Sequence, residues 1–340
     1  MPIKFNGKDI TPRFNGKNIS RVMYNGKQIW SVEPIISPSE SQTCDICFYD
    51  KTKDKLIIVK GDIWNIELFP SSKYLPIGVV VIPGTHNVYG DGSCGVISLK
   101  SMSCDTPSTG STSELFMYWG VNGIDISGLS NLNQVPTTNN TSNGIPTGSA
   151  TNGYLPTDKF SGTQCAHDTD TYYNYRPYVP SPYLTDGSRN RGYYQTTSPS
   201  SSSNALADFN GKNNTQKIIT QRGTKDYNSW KPNRTTKADY PAASCCDMFY
   251  IEGTQQGDWY LPACGELGYI MPHFNKINDV IDKICTAYGS SIGVKLNASY
   301  YYWSSTEYDS NNARDLNTGN GCIEYYNKNY SYYVRAFLRV

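Results

Sequence analysis

The sequence has little charge for its length and almost no excess of either sign. Of its 340 residues, 17% are Asp, Glu, Lys or Arg, and 30 basic residues against 29 acidic ones leave a formal net charge of +1. Such a chain has no field of one sign with which to gather nucleic-acid phosphates or anionic lipid headgroups. We therefore expect no nucleic-acid partner.

Long apolar runs are also missing. The first thirty residues contain none of the length that the centre of a signal peptide needs. The most apolar segment, residues 78–82, is far shorter than the roughly 20 residues that cross a bilayer as a helix. The sequence therefore predicts a chain that is made in the cytoplasm without a signal peptide and does not insert into a membrane.

Residues that carry out catalysis or bind metals are sparse or poorly spaced. The three histidines, His86, His167 and His273, are far apart in sequence and show no metal-ligand spacing. Ten cysteines include one CxxC, at Cys44 and Cys47, but no second pair accompanies it, and CDICFYD has the pattern of a strand. Without an export signal we expect mostly free thiols that pack in the core. The sequence thus predicts no enzyme, no cofactor and no metal site.

A short repeat opens the chain. IKFNGKDI, PRFNGKNI and VMYNGKQI each place an aromatic residue before Asn-Gly, the dipeptide that best accommodates a two-residue hairpin turn. Residues 1–33 are therefore predicted to form a small β-meander of three hairpins. Because such hairpins bury too little surface to be stable alone, we expect them to attach the protein to another subunit. The alternative is that these residues only decorate the main domain and do not attach it to another protein.

Residues 40–340 have the pattern of an α+β domain. CDICFYD, LIIVK and IGVVVIP predict strands, and the last seven residues alternate so that a final strand would have one apolar inward face. Apolar residues at 274, 277, 281, 284 and 288 predict an amphipathic helix over 272–289. Residues 131–205 show almost no periodicity and are predicted to be an irregular insertion.

Tyrosine and asparagine are concentrated near the carboxyl end. Nine of the 28 tyrosines fall within residues 300–340, and six asparagines lie between 311 and 329. Tyrosine offers a large contact area at little entropic cost, and asparagine offers adaptable hydrogen bonds, as in antibody combining sites. Packing within a tyrosine-rich sheet is the alternative. Because Asn and Gly interrupt the strand patterns, we favour a ligand-binding surface over residues 300–340.

The order of several motifs resembles a known family. DWYLPACGEL, the amphipathic helix, YYWSSTEYDSNNAR and YYVRAFLRV follow one another as in the variable proteins of diversity-generating retroelements. Upstream pieces such as LPIGVVVIP and MYWGVNGIDISGL keep the same order, as in phage-borne relatives from gut Bacteroidales. The resemblance covers residues 43–340 and is poorest over 131–205. It implies a C-type-lectin-like domain of the formylglycine-generating-enzyme type.

In that family an error-prone reverse transcriptase rewrites adenines near the end of the gene while the framework is kept. By position, the resemblance implies a framework that includes Trp259, Leu261, Pro262, Trp303, Ser304, Ser305 and Val334. It implies a diversified, ligand-binding set of Tyr308, Asp309, Asn311, Asn312, Asp315, Asn317, Asn320, Cys322, Glu324, Tyr325, Tyr326, Asn329, Tyr330, Tyr332 and Tyr333.

The resemblance further implies a receptor-binding protein of the virion, at a phage tail tip. Its partners would be a bacterial surface protein or glycan and, through residues 1–33, other tail proteins. A homotrimer would suit a tail fibre. The alternative is a structural tail protein whose tyrosine-rich face is a permanent subunit interface.

Two other uses of this fold match the sequence less well. Its enzymatic branch relies on a pair of late cysteines, which Cys285 and Cys322 do not reproduce. Calcium binding needs several oxygen ligands around one ion. The candidates for it, Glu307, Asp309, Asn311 and Asn312, overlap with positions that the resemblance implies are variable.

Overall fold

The computed structural model describes residues 34–64, 66–133, 205–223, 229–319 and 321–340, with the backbone of short strands within 3–31 and 135–154. Most of the predicted insertion at 131–205 lies outside the described residues. Helices and mostly antiparallel sheets together confirm the predicted α+β class. None of the helices in these parts combines the length and the apolar character that a bilayer crossing requires.

The six strands at the amino end pair as three antiparallel hairpins. Their bounds are β1 (Ile3–Phe5), β2 (Lys8–Ile10), β3 (Arg13–Phe14), β4 (Lys17–Asn18), β5 (Arg21–Tyr24) and β6 (Lys27–Ser31). In each pair the register leaves Asn-Gly between the strands, as the repeat predicts. The described strands form three two-stranded sheets, one for each predicted hairpin. Strands β3 and β4 have only two residues each, which leaves few backbone groups for further pairing.

A seven-stranded sheet forms the centre of the domain. In spatial order its strands are β16 (Trp259–Tyr260), β21 (Phe337–Arg339), β11 (Gly95–Ser98), β10 (Tyr74–Ile82), β8 (Ile46–Asp50), β9 (Lys55–Val59) and β7 (Ile35–Ile36). All neighbours are antiparallel. Strands β8, β9 and β10 confirm the predictions from CDICFYD, LIIVK and IGVVVIP.

Apolar layers cover both faces of this sheet. Side chains alternate along the strands, so Val79 and Phe337 pack in one layer while Val80 and Leu338 pack in the other. The final strand is therefore apolar on both sides, and the expectation of a single apolar face is wrong. Arg335 is buried beside it, where its guanidinium donates to main-chain carbonyls and pairs with a carboxylate.

In the described segments, four α-helices flank the sheet: α1 (Gly211–Thr220), α2 (Pro241–Met248), α3 (Cys264–Gly268) and α4 (Phe274–Tyr288). Helix α4 buries the predicted stripe, including Ile277, Ile281 and Ile284, in the layer that contains Val79. A single 3-10 turn at Met271–His273 precedes it, so α4 begins two residues after the predicted start. Helices α1 and α2 pack in the opposite layer.

A second sheet contains the tyrosine-rich end. It consists of β15 (Gly153–Tyr154), β19 (Cys322–Asn327), β18 (Asn312–Asn317) and β17 (Tyr301–Glu307), in that spatial order. Two small pairs accompany it: β12 (Met117–Tyr118) with β20 (Ser331–Tyr332), and β13 (Val135–Pro136) with β14 (Ser149–Ala150). The prediction of interrupted strands is wrong, because Asn312, Asn317 and Asn327 are terminal residues of their strands.

Replacing Ile281 by alanine should lower the free energy of unfolding by about 2–5 kcal/mol, because its side chain is fully buried between α4 and the sheet. The matched variant Lys283→Ala, exposed on the same helix, should change it by less than about 0.5 kcal/mol. Urea denaturation of both variants measures the difference. Equal losses would contradict the packing of α4 described above.

Candidate binding surface

The pairing of β18 with β19 determines where the side chains of the carboxyl-terminal region point. Residues directly opposite each other share a face of the sheet. Leu316 and Ile323 pair, and both enter the core layer that contains α4. One position along, Asp315 and Glu324 pair on the opposite face. We define the tyrosine face as that side of the sheet with its adjoining rings: Tyr301, Trp303, Asp315, Glu324, Tyr326, Tyr330 and Tyr332.

The aromatic rings of the tyrosine face lead from the core to the solvent. Tyr332 lies between Trp303 and Tyr301, with ring centroids 4.6 and 4.7 Å away. Tyr326 stands nearly perpendicular to Tyr332, at 5.5 Å and 89°, and contacts Tyr301 at 5.3 Å. Tyr330 packs against Tyr326 at 5.8 Å and is 50% exposed. One connected cluster thus has a buried end at Trp303 and an accessible end at Tyr330.

Nine of the fifteen predicted ligand-binding residues reach the surface. Asn311 and Tyr330 are exposed. Partly buried are Tyr308, Asp309, Asn312, Glu324, Tyr325, Tyr326 and Asn329. Asn320 lies outside the described residues. The nine are the positions that a partner could contact in the chain as described.

Five of the predicted ligand-binding residues are buried in the chain as described, so their side chains do not reach its surface. They are Asp315, Asn317, Cys322, Tyr332 and Tyr333. Asp315 lies on β18 and Cys322 on β19, the two inner strands of the second sheet. Tyr333 stacks on Phe116 with a centroid distance of 4.5 Å. Asn317 accepts a hydrogen bond from the turn amide of Gly319 at 2.8 Å.

The residues assigned to the framework lie beneath this surface. Trp259, Leu261, Pro262, Trp303, Ser304, Ser305 and Val334 are all buried. Trp303 donates from its indole nitrogen to the carbonyl of Met117 at 3.1 Å, and Trp119 donates to the carbonyl of Ser304 at 2.7 Å. The two tryptophans therefore connect β17 to the segment around β12 by directional bonds.

A buried ion pair holds the turns on either side of β18 and β19. The ammonium of Lys328 contacts the carboxylate of Glu307 and donates to the carbonyls of Ile124 at 2.7 Å and Ser310 at 3.0 Å. The Lys328 amide donates to the carbonyl of Asn311 at 2.9 Å. Burial raises the pKa of Glu307 and lowers that of Lys328, and their mutual attraction opposes both shifts. The pair thus ties the turn at 308–312 to the turn at 327–330.

Lys328→Met should lower the free energy of unfolding by about 3–5 kcal/mol, because it leaves Glu307 as a buried charge without its partner. The double variant Lys328→Met, Glu307→Gln should recover part of that loss, because no charge then remains buried. Thermal and urea denaturation of the two variants measures the effect. A loss below about 1 kcal/mol in the single variant would show that the pair is not buried as described.

Asp315 is an unusual member of the tyrosine face. Its side chain is fully buried, and neither carboxylate oxygen has a hydrogen-bond partner among the described residues. Burial raises the pKa of Asp315 well above its usual value, the charge of Glu324 raises it further, and Arg314 opposes the shift. An unpaired polar group in the interior is costly, so the carboxylate destabilises the free protein.

Asp315→Asn should raise the free energy of unfolding at about pH 8 by about 1–3 kcal/mol. The folded-state pKa lies above the unfolded value of about 3.9, so this group stabilises the fold below the unfolded pKa and loses that contribution as pH rises through the folded pKa. The variant lacks this loss, and its advantage should therefore shrink at about pH 4. Urea denaturation at both pH values is the measurement. A variant that is less stable than the wild type at about pH 8 would contradict this assignment.

A second aromatic group lies on the other face of the hairpin. Tyr308 and Tyr325 stack with centroids 4.0 Å apart and planes 8° from parallel. The guanidinium of Arg314 lies 4.8 Å from the ring centre of Tyr308 and donates from Nε to the carbonyl of Leu132 at 3.1 Å. Sequence reasoning missed Arg314, and an isolated arginine in a polar segment provides no signal for it.

Outside this surface, the structure brings together some histidines and cysteines that are far apart in sequence. Two of the three histidines come together: burial and the charge of His273 lower the pKa of His86 to about 4. The nine described cysteines form no disulfide, and the sulfur atoms of Cys104 and Cys245 lie 3.3 Å apart. Within the described segments, no three His, Cys, Asp or Glu side chains are grouped to hold a metal ion.

Comparison with known proteins does not identify a family for this chain. No protein-family model matches the chain, and no curated protein matches it. One solved structure that is similar is a fimbrial protein from Bacteroides ovatus ATCC 8483, with 15% sequence identity and a TM-score of 0.35. The match covers 88% of this chain and 49% of the fimbrial protein, so the chain spans about half of that protein's length.

Proposed function

We propose that this chain is a non-enzymatic receptor-binding protein of a phage tail tip, with a C-type-lectin-like domain that displays its carboxyl-terminal surface to a bacterial surface protein or glycan. One observation carries the proposal: nine of the fifteen predicted ligand-binding residues reach the surface, with Asn311 and Tyr330 the most exposed, and buried side chains hold the strands that carry them. Exposed aromatic rings and amides carried by firmly held strands can recognise a partner through ring contacts and adjustable hydrogen bonds.

The resemblance to the variable proteins of diversity-generating retroelements supports the same proposal. In such proteins the exchange of surface side chains requires a base that does not depend on them. Here the turns that carry Asn311 and Tyr330 are held by Lys328 and Glu307, which are not in the predicted variable set. Residues 1–33 would attach the domain to other tail proteins. Several copies, as in a homotrimer, would add avidity to modest single-site affinity.

The double variant Asn311→Ala, Tyr330→Ala should reduce binding to susceptible cells by about tenfold or more, because exposed aromatic residues often dominate binding energy. Both side chains are exposed, so the melting temperature should stay close to that of the wild type. Flow cytometry of labelled protein on a panel of gut Bacteroidales strains measures binding. The matched control is Tyr250→Ala, an exposed tyrosine outside the surface.

The alternative function, a structural tail protein, predicts a different result for the same double variant. If the surface is a subunit interface, the double variant should change the oligomeric mass, and neither protein should bind cells. Light scattering after size-exclusion chromatography measures that mass. Unchanged mass together with lost cell binding supports the receptor-binding proposal, and changed mass without any cell binding overturns it.

A further inference from the structure

We propose that Cys104 and Cys245 form a disulfide bond when the protein meets a small-molecule disulfide, and that this bond stabilises the domain. The inference goes beyond the receptor-binding function proposed above and does not depend on it. It follows from the contact between the two sulfur atoms, from the main-chain hydrogen bonds that hold both cysteines in place, and from the groups that surround the pair.

The two sulfur atoms are in direct contact. They lie 3.3 Å apart, although Cys104 and Cys245 are 141 positions apart in sequence. The sulfur atoms of a disulfide are about 2.05 Å apart, so bond formation requires the two atoms to approach each other by roughly 1 Å. Rotation of the two side chains supplies a movement of that size, and the fold does not need to rearrange.

Main-chain hydrogen bonds on both sides fix the position of Cys104. Two residues before it, the amide of Met102 donates to the carbonyl of Val334 at 3.0 Å. Four residues after it, the carbonyl of Ser108 accepts a hydrogen bond from the amide of Tyr250 at 3.1 Å. The segment is thus attached to the chain before β21 and to the chain after α2. These attachments hold the Cys104 thiol against α2.

Helix α2 fixes the position of the other thiol. All eight residues of α2 are buried, and Cys245 has no exposed surface. The amide of Phe249, just after the helix, donates to the carbonyl of Cys245 at 3.1 Å. Cys104 and Cys245 pack in the same apolar layer. Two separately anchored elements therefore bring the thiols together, and their contact is a property of the packed fold.

The surroundings favour a disulfide over a metal site or another cysteine pair. A structural zinc ion needs further ligands beside a pair of thiolates. Within the described segments, no three His, Cys, Asp or Glu side chains are grouped to hold an ion. Cys246 follows Cys245 on the same helix, where consecutive side chains do not face each other. Among the described residues, Cys104 is therefore the thiol with which Cys245 can pair.

The exposure of the two cysteines determines which of them reacts first. Cys104 is 6% exposed and precedes the exposed residues Asp105 and Thr106, whereas Cys245 is fully buried. Burial and the adjacent Cys104 thiol raise the pKa of Cys245 well above its usual value, which makes Cys245 the slower nucleophile. Cys104 should therefore react first, after a local opening of residues 103–110.

With glutathione disulfide as the oxidant, the bond forms by two thiol–disulfide exchanges. The Cys104 thiolate attacks one sulfur of glutathione disulfide, forms a mixed disulfide and releases one glutathione thiolate. The Cys245 thiolate then attacks the Cys104 sulfur and releases the second glutathione thiolate. The two glutathione thiolates take up the protons that the cysteines lost. The cysteine pair is thus oxidised by two electrons, and glutathione disulfide is reduced by two electrons.

The bond would close a loop that contains the predicted insertion. Cys104 lies before residues 131–205 and Cys245 lies after them, so the chain on either side would be joined covalently. A crosslink between residues so far apart removes conformational freedom from the unfolded chain and thereby stabilises the fold. A protein that leaves the reducing cytoplasm, as the proposed tail protein would, can acquire this bond after assembly.

Peptide mapping tests the bond directly. The reduced, folded chain is incubated with glutathione disulfide in a series of urea concentrations below the unfolding midpoint, where local opening gives the oxidant access to buried thiols. Remaining thiols are blocked, and a chymotryptic digest is analysed by mass spectrometry without reduction. We expect Cys104 joined to Cys245 as the predominant crosslink, which dithiothreitol removes. A different predominant crosslink, or none at any urea concentration, would overturn the proposal.

Variants separate this pair from the other cysteines. Oxidation should raise the melting temperature of the wild type by about 5 °C or more, because the bond constrains the unfolded chain. Cys104→Ala should lose that gain, whereas the matched variant Cys246→Ala, a buried thiol next to Cys245 on α2, should keep it. Each protein is compared with its own reduced form, so the cost of the substitution itself cancels.

Three results of the melting experiment would overturn the proposal: an equal gain in Cys104→Ala, loss of the gain in Cys246→Ala, or a crosslinked wild type that shows no gain. Peptide mapping of the wild type tests the bond itself even if a variant fails to fold.

Discussion

A charged pair shut away from solvent determines the geometry of the carboxyl-terminal surface. The ammonium of Lys328 can be buried only because Glu307 and two main-chain carbonyls surround it. These contacts join the turn after β17 to the turn after β19. The exposed side chains of Asn311 and Tyr330 stand on those turns. The proposed binding function depends on this attachment, because exchangeable side chains need a base that holds its shape without them.

Local patterns predicted much of the fold. Apolar β-branched runs identified β8, β9 and β10, and a period near 3.6 identified α4, because these signals are contained in the segments themselves. Local patterns did not show which tyrosines near the carboxyl end are exposed and which are buried. Tyr330 and Tyr332 are chemically identical and two residues apart, yet one is half exposed and the other lies between Trp303 and Tyr301. That difference comes from the pairing of β20 with β12, which connects segments far apart in sequence.

The sequence pattern also failed to predict which charged residues are buried. Lys328 stands between two asparagines and has the pattern of a solvent-exposed residue, while its partner is 21 positions earlier. Asp315 was expected to face a ligand, and its side chain is buried in the chain as described.

Saturation mutagenesis of residues 308–333, with folded yield after protease challenge as the readout, tests the central claim most directly. We expect tolerance to follow exposure: Asn311, Asn329 and Tyr330 should accept most side chains, whereas Lys328, Cys322 and Tyr332 should accept few. Uniform tolerance across both groups, or strict intolerance at Asn311 and Tyr330, would contradict a fixed base that carries exchangeable surface residues.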